Sequence, residues 1–111
     1  MKNTESLKKN NRFRNVYKNG KSYANKYLVL YVLPNSQSLN RLGLTVSKKV
    51  GNSVVRSRVT RKIREAYRLN EDRFLCGYDI VFIARVVSGQ AVFLDIEKSV
   101  LYLAKKCGII C

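Results

Sequence analysis

Between Val54 and Arg68 the chain reads Val-Val-Arg-Ser-Arg-Val-Thr-Arg-Lys-Ile-Arg-Glu-Ala-Tyr-Arg, and this run constrains the fold more than any other. Wound at about 100° per residue, Val55, Val59, Ile63, Ala66 and Tyr67 gather into one apolar stripe. Arg56, Arg58, Arg61, Lys62, Arg64 and Arg68 take the remaining arc, interrupted only by Glu65. The segment is therefore a helix with one face on a core. Gly51-Asn52-Ser53 ahead of it supplies a strand break and N-cap residues. Like charges one turn apart cost a few tenths of a kcal/mol per pair, so six cations on one face oppose the helix they sit on. A solvated structural face would relieve that cost with interspersed acids. A membrane-surface helix would carry Trp or Phe in its apolar stripe. Five of the six cations are arginine, whose planar fork suits phosphate and base contacts. Lys48 and Lys49 add charge just before the helix N-terminus, where free N–H groups and the dipole also favour anions.

The rest of the chain supports a polyanion-facing surface. Of 111 residues, 22 are Lys or Arg and 7 are Asp or Glu. Residues 1–68 hold 17 of the bases and 2 of the acids, and residues 69–111 hold 5 of each, so the net charge of +15 lies in the first part of the chain. No helix-turn-helix pair, zinc finger or heptad zipper is present, which favours RNA over DNA. There is no histidine, hence neither the commonest general base nor the commonest metal ligand. Cys76, Cys107 and Cys111 lack Cys-x-x-Cys spacing and read as reduced thiols. The seven acids show no cluster beyond the adjacent Glu71-Asp72, read as a helix-end loop, so a protein-only metal nuclease is disfavoured. No catalytic and no metal-binding residue is expected. The chain shows no apolar run of membrane-span length and no secretion signal, and is expected in the cytoplasm without a membrane partner.

The length suits one domain over residues 1–111, with residues 1–9 expected as a flexible basic tail. Phe13, Val16 and Tyr17 mark a short helix from Asn10 to Asn19, with Gly20 placed to end it in the left-handed conformation. Tyr23 to Leu33 reads as one strand. Arg41 to Ser47 alternates, Leu42, Leu44 and Val46 to one side and Arg41, Gly43, Thr45 and Ser47 to the other. These two strands are expected to form a hairpin. Tyr78 to Arg85 reads as a central strand, and Ala91 to Lys106 as a helix stopped by Gly108. The order αββαβα gives an α+β fold, an α/β sandwich with helices on a small sheet. Phe13 and Tyr17 lie one helical turn apart, and Tyr23, Tyr27 and Tyr31 fall on one face of the first strand. With Arg12, Arg14, Lys18 and Lys26 beside them they suit a stacking platform for single-stranded bases. Aromatics at this spacing equally suit a core.

The run Val46-Ser47-Lys48-Lys49-Val50-Gly51-Asn52, continuing through Arg56-Ser57-Arg58 to Arg64-Glu65-Ala66-Tyr67, resembles the signature of the bacterial ribonuclease P protein subunit. Leu7-Lys8-Lys9-Asn10 with Phe13, Leu30-Tyr31 and Tyr78-Asp79-Ile80-Val81 with Ala84-Arg85 extend the resemblance from about Leu7 to Lys106. Ser57 stands where the family has asparagine. The resemblance implies a fold like the second domain of ribosomal protein S5, with a small mixed sheet and a left-handed βαβ crossover, whereas the general rule favours a right-handed one. It implies the endoribonuclease subunit that assists 5′ maturation of precursor tRNA, catalysis being carried by the RNA subunit and its Mg²⁺, with one protein copy per RNA. Lys48, Lys49, Asn52, Arg56, Ser57, Arg58, Arg61, Lys62, Arg64 and Arg68 would then contact the catalytic RNA. Phe13, Tyr17 and Tyr31, with Arg12 and Lys26, would line a cleft for the 5′ leader. The alternative is a structural RNA-binding protein of ribosomal type with no role in cleavage.

Overall fold

A computed structural model describes residues 1–111. Its elements are β1 (Thr4–Ser6), α1 (Asn10–Asn19), β2 (Lys21–Ala24), β3 (Leu28–Pro34), β4 (Asn40–Thr45), α2 (Ser53–Leu69), β5 (Tyr78–Ala84) and α3 (Phe93–Lys106), with 3₁₀ turns at Glu71–Arg73 and Val86–Gln90. The five strands form one mixed sheet in the order β1-β4-β5-β3-β2. Helices α2 and α3 cover one face, and the larger core lies beneath them around Leu30, Leu42, Ile63, Tyr67, Phe82 and Leu103. On the other face α1 packs Val16 against Leu7 and Val81, with Phe13, Tyr17, Tyr31, Leu33 and Ile83 around them. β5 is thus covered on both sides, and Ile80, Val81 and Phe82 are fully buried. The apolar run Ile80-Val81-Phe82-Ile83-Ala84 is what a central strand between two helical layers requires. The stripe of α2 packs as its periodicity predicts, with Val59, Ile63, Ala66 and Tyr67 buried.

The expected hairpin between the second and third segments does not form. β5 lies between β3 and β4, antiparallel to β3 and parallel to β4. The expected strand from Tyr23 to Leu33 is two strands. The Asn25 side-chain oxygen accepts from the N–H groups of Tyr27 and Leu28 (3.1 and 3.0 Å), a local turn that folds β2 back on β3. Tyr23, Tyr27 and Tyr31 consequently do not share a face: Tyr31 faces α1, Tyr27 packs against the larger core, and Tyr23 is exposed. Gly20 ends α1 without the expected left-handed turn, at φ −82°. A Cβ there would stand 2.6 Å from the carbonyl oxygens of Val16 and Val32, so close backbone approach excludes a side chain.

Residues 1–9 are not a free tail. β1 pairs in parallel with β4, Thr4 opposite Asn40 and Ser6 opposite Leu42. The buried Glu71 carboxylate accepts from the N–H groups of Lys2 and Asn3 (2.9 and 3.1 Å) and from the Thr4 hydroxyl (2.6 Å). With its proton so committed, Thr4 accepts from the Tyr67 hydroxyl at 2.8 Å. Tyr67 in turn accepts from the Asn40 amide, which also reaches the Leu75 carbonyl, while the Asn40 oxygen accepts from the Tyr78 N–H. The network is fully satisfied, which is the condition for burying it. Burial pushes the Glu71 carboxyl up, but the bonds from Thr4, Lys2 and Asn3 outweigh it and hold the group below its ordinary value.

The same pairing fixes the handedness of the β4-α2-β5 crossover. Seen from the α2 side with the strand running upward, an L-residue pointing at the viewer directs its N–H and C=O to the right. Leu42 faces that core, and its carbonyl accepts from the Leu7 N–H at 2.9 Å. β1 therefore lies to the right of β4 and β5 to its left. The chain passes over the sheet from right to left, a left-handed crossover against the usual preference.

Candidate nucleic-acid interface

The Asn52 side chain caps α2, its oxygen accepting from the Val55 N–H at 3.0 Å. That oxygen serves the helix, as the Gly51-Asn52-Ser53 run predicts, and the exposed side chain keeps its amide Nδ2 without a partner in the protein. Beyond the cap, two open grooves flank α2. One, against β4, is lined by Leu44, Val46, Arg56, Ser57, Thr60 and Arg61, with Arg64 at its end. The other, toward the start of α3, is lined by Arg58, Arg61, Lys62, Arg64, Glu65 and Phe93. Arg61 and Arg64 stand between the two and serve both. Lys48 and Lys49 lie exposed in the turn before the helix.

The cations are not equivalent. Arg58, Arg61 and Arg64 are exposed and make no ion pair within the protein. Lys62 donates to the Ala91 carbonyl at 2.8 Å and so braces α2 against the loop before α3. Arg68 is held by Glu65, its Nε donating at 3.0 Å. That hydrogen bond raises the guanidinium value and lowers the Glu65 carboxyl. Arg56 is half-buried, and its Nε is enclosed without any hydrogen-bond partner.

On the opposite face three rings form a continuous series. Phe13 and Tyr17 are 6.3 Å apart, and Tyr17 meets Tyr31 edge-on at 5.1 Å. All three are partly exposed, so they serve both as the rim of the smaller core and as an open aromatic surface. The Tyr17 hydroxyl lies 3.2 Å from that of Thr45. Phe13 rests on Gly43, where a Cβ would come within 2.6 Å of the ring. Arg12 lines a basic recess with Lys8, Lys9, Glu5 and Ser6. Lys26 is not brought to this series; it sits in the β2–β3 turn, 5.3 Å from the Tyr27 ring. Thr45 and Gly43 belong beside the aromatics although periodicity alone did not single them out. The small and polar face of the alternating β4 segment was the available signal.

The buried carboxylates are engaged within the protein: Glu71 holds the N-terminus, and Asp79 accepts from Asn35 at 3.0 Å and lies 4.0 Å from Arg41. No three His, Cys, Asp or Glu side chains converge.

The sequence model of the family described as Ribonuclease P matches residues 1–108. The chain belongs to the ribonuclease P protein family. It is 56% identical over 107 residues to the ribonuclease P protein component of Clostridioides difficile (strain 630), covering 96% of this chain and 94% of that one. It is 51% identical over 110 residues to the component of Alkaliphilus oremlandii, covering 99% and 96%. Among solved structures, the RNase P protein of Staphylococcus aureus superposes with a TM-score of 0.88 at 36% identity, covering 96% of this chain and 97% of that one. That of Thermotoga maritima gives 0.84 at 31% identity, covering 92% and 96%. The family thus accounts for the whole α+β architecture as well as the basic helix, and no helix is long and apolar enough to cross a membrane.

Proposed function

We infer that this protein is the subunit of ribonuclease P that binds the catalytic RNA through α2 and the single-stranded 5′ leader of precursor tRNA across Phe13, Tyr17 and Tyr31. The separation of a basic helix from an aromatic surface on opposite faces of one sheet carries this reading. Arg58, Arg61 and Arg64 are free to meet phosphates, whereas Lys62 and Arg68 act first on the protein itself. The ring series offers stacking worth about 1–3 kcal/mol per base. Mg²⁺ on the RNA partner supplies the hydrolytic chemistry, and the protein's residues bind, orient and screen charge. The leader exists on the precursor and not on the product. Leader binding therefore strengthens precursor affinity without slowing product release. One protein per RNA suffices for this role.

The test is precursor-tRNA cleavage at low Mg²⁺ with a catalytic RNA subunit, with and without the protein. Correct 5′ cleavage by RNA and protein together, and none by protein alone, is the expected result. Phe13→Ala with Tyr31→Ala should then weaken precursor binding and leave mature-tRNA binding unchanged. RNA binding without any rescue of cleavage would overturn the reading.

A further inference from the structure

The edge of β4 is only half covered. β1 pairs with Asn40 to Leu42, and Leu7 N–H to Leu42 C=O is the last bond before the chain turns into α1. Along β4, Asn40 and Leu42 direct their backbone groups toward β1, and residues two apart share that direction. Leu44 comes next on this side. The continuing ladder would need Leu7 C=O and Lys9 N–H, and neither bonds to it. Leu44 thus presents one free N–H and one free C=O to the outside. The groove at this point is lined by Leu7, Phe13, Gly43, Leu44, Thr60 and Arg64. It meets the groove holding Arg56, with its enclosed and unpartnered Nε, and Arg61.

We propose that the open edge of β4 at Leu44 is a nucleotide subsite, in which one unstacked base pairs with the Leu44 backbone while its phosphate meets the arginines of α2. The proposal rests on the RNA-binding reading above and deepens it. Every nucleobase carries an adjacent donor and acceptor on an edge, so a single backbone N–H and C=O accepts any of the four. Such a site joins the aromatic face to the basic helix across the sheet edge without imposing sequence. An added peptide strand fits poorly. The opening begins where Leu7 leaves the edge and offers too few rungs for strand addition, and three arginines beside it favour phosphate.

Amide exchange of the Leu44 N–H in the unmodified protein reads the site directly. The N–H should exchange readily in the free protein and become protected when RNA is added. A leader oligonucleotide and a catalytic RNA without substrate, used separately, distinguish which RNA occupies it; protection by either supports the proposal. Replacing Leu44 by its α-hydroxy analogue exchanges the N–H for an ester oxygen and keeps the side chain. Because that N–H bonds to nothing in the protein, the thermal unfolding midpoint should fall only by what the weaker ester carbonyl of Gly43 loses in its bond to β5, while RNA affinity falls about three- to tenfold. No protection by either RNA, or protection only by polyglutamate, would overturn the proposal. If Leu44 stays unprotected while Phe13→Ala with Tyr31→Ala still weakens leader binding, the subsite fails and the leader reading stands. If the aromatic pair also has no effect, the leader reading itself fails.

Discussion

Helices α2 and α3 lie side by side on the same face of the sheet, yet their polar faces follow opposite rules. α3 carries Asp95 in its first turn and Lys105 and Lys106 in its last, the arrangement its dipole favours. α2 has no acid in its first turn and arginines along its length, with Glu65 the sole acid. Their buried faces are alike: Val59, Ile63, Ala66 and Tyr67 on one, Ile96, Val100, Leu103 and Ala104 on the other. Both helices are held by core packing, but α3 places its charges where its dipole favours them, whereas α2 leaves Arg58, Arg61 and Arg64 without an ion pair in the protein. A charge pattern that works against its helix is retained for something outside the protein.

The largest effects should show what the helices share. Ile63→Ala in α2 and Leu103→Ala in α3 each empty a fully buried position. Each should destabilise by about 2–5 kcal/mol, read by denaturant unfolding. A much smaller loss at Ile63 would mean that α2 is not anchored through its stripe.

The next effect should separate them. Arg58→Ala with Arg61→Ala should lower affinity for the catalytic RNA about tenfold to a hundredfold at moderate salt. Each lost phosphate contact should reduce the log–log salt slope by roughly 0.7–0.9. The matched pair on α3, Lys98→Ala with Lys105→Ala, should leave affinity and slope close to the parent. Equal losses from both helices would reduce the contrast to nonspecific charge.

The contrast was legible because it is local. The period of 3.6 in residues 54–68 and of 2 in residues 41–47 dictates which side chains share a face, and the structure buries them accordingly. The arrangement of strands was less legible. β3 and β4 look like a hairpin until β5, more than thirty residues later, is inserted between them. Residues 1–9 look like a tail because the group that orders them, Glu71, lies 67 residues from Thr4. The division of labour among the cations is hidden for the same reason: Lys62 is recruited by Ala91, 29 residues away. Side-chain turns also override propensity, as Asn25 does in splitting an apolar run into β2 and β3.

Glu71 tests the N-terminal half of this account. Glu71→Gln keeps the shape but cannot accept three bonds as a carboxylate does, and should cost about 1–2 kcal/mol of stability. Because the folded carboxyl titrates below its ordinary value, its contribution is complete above the unfolded value near 4.3 and is lost as pH falls through the folded one. The parent should therefore lose stability more steeply than Glu71→Gln below about pH 4. Identical acid limbs in the two proteins would remove the carboxylate from the role of clamp.

The smallest effect bears most directly on the difference between the two helices. Glu65 is the single acid on the basic face, and it holds Arg68 one turn on. The pair is exposed on both sides, where solvent screens its attraction, so it contributes little to folding. Its larger consequence is for binding: Arg68 must leave Glu65 or share it before meeting a phosphate, and the carboxylate repels the same phosphate. Glu65→Gln should therefore raise affinity for the catalytic RNA, by less than about threefold, and steepen the salt dependence slightly as Arg68 joins the contacts. Lower affinity would mean that Glu65 orients Arg68 for the RNA, and the one acid of α2 would then belong to the binding face it interrupts.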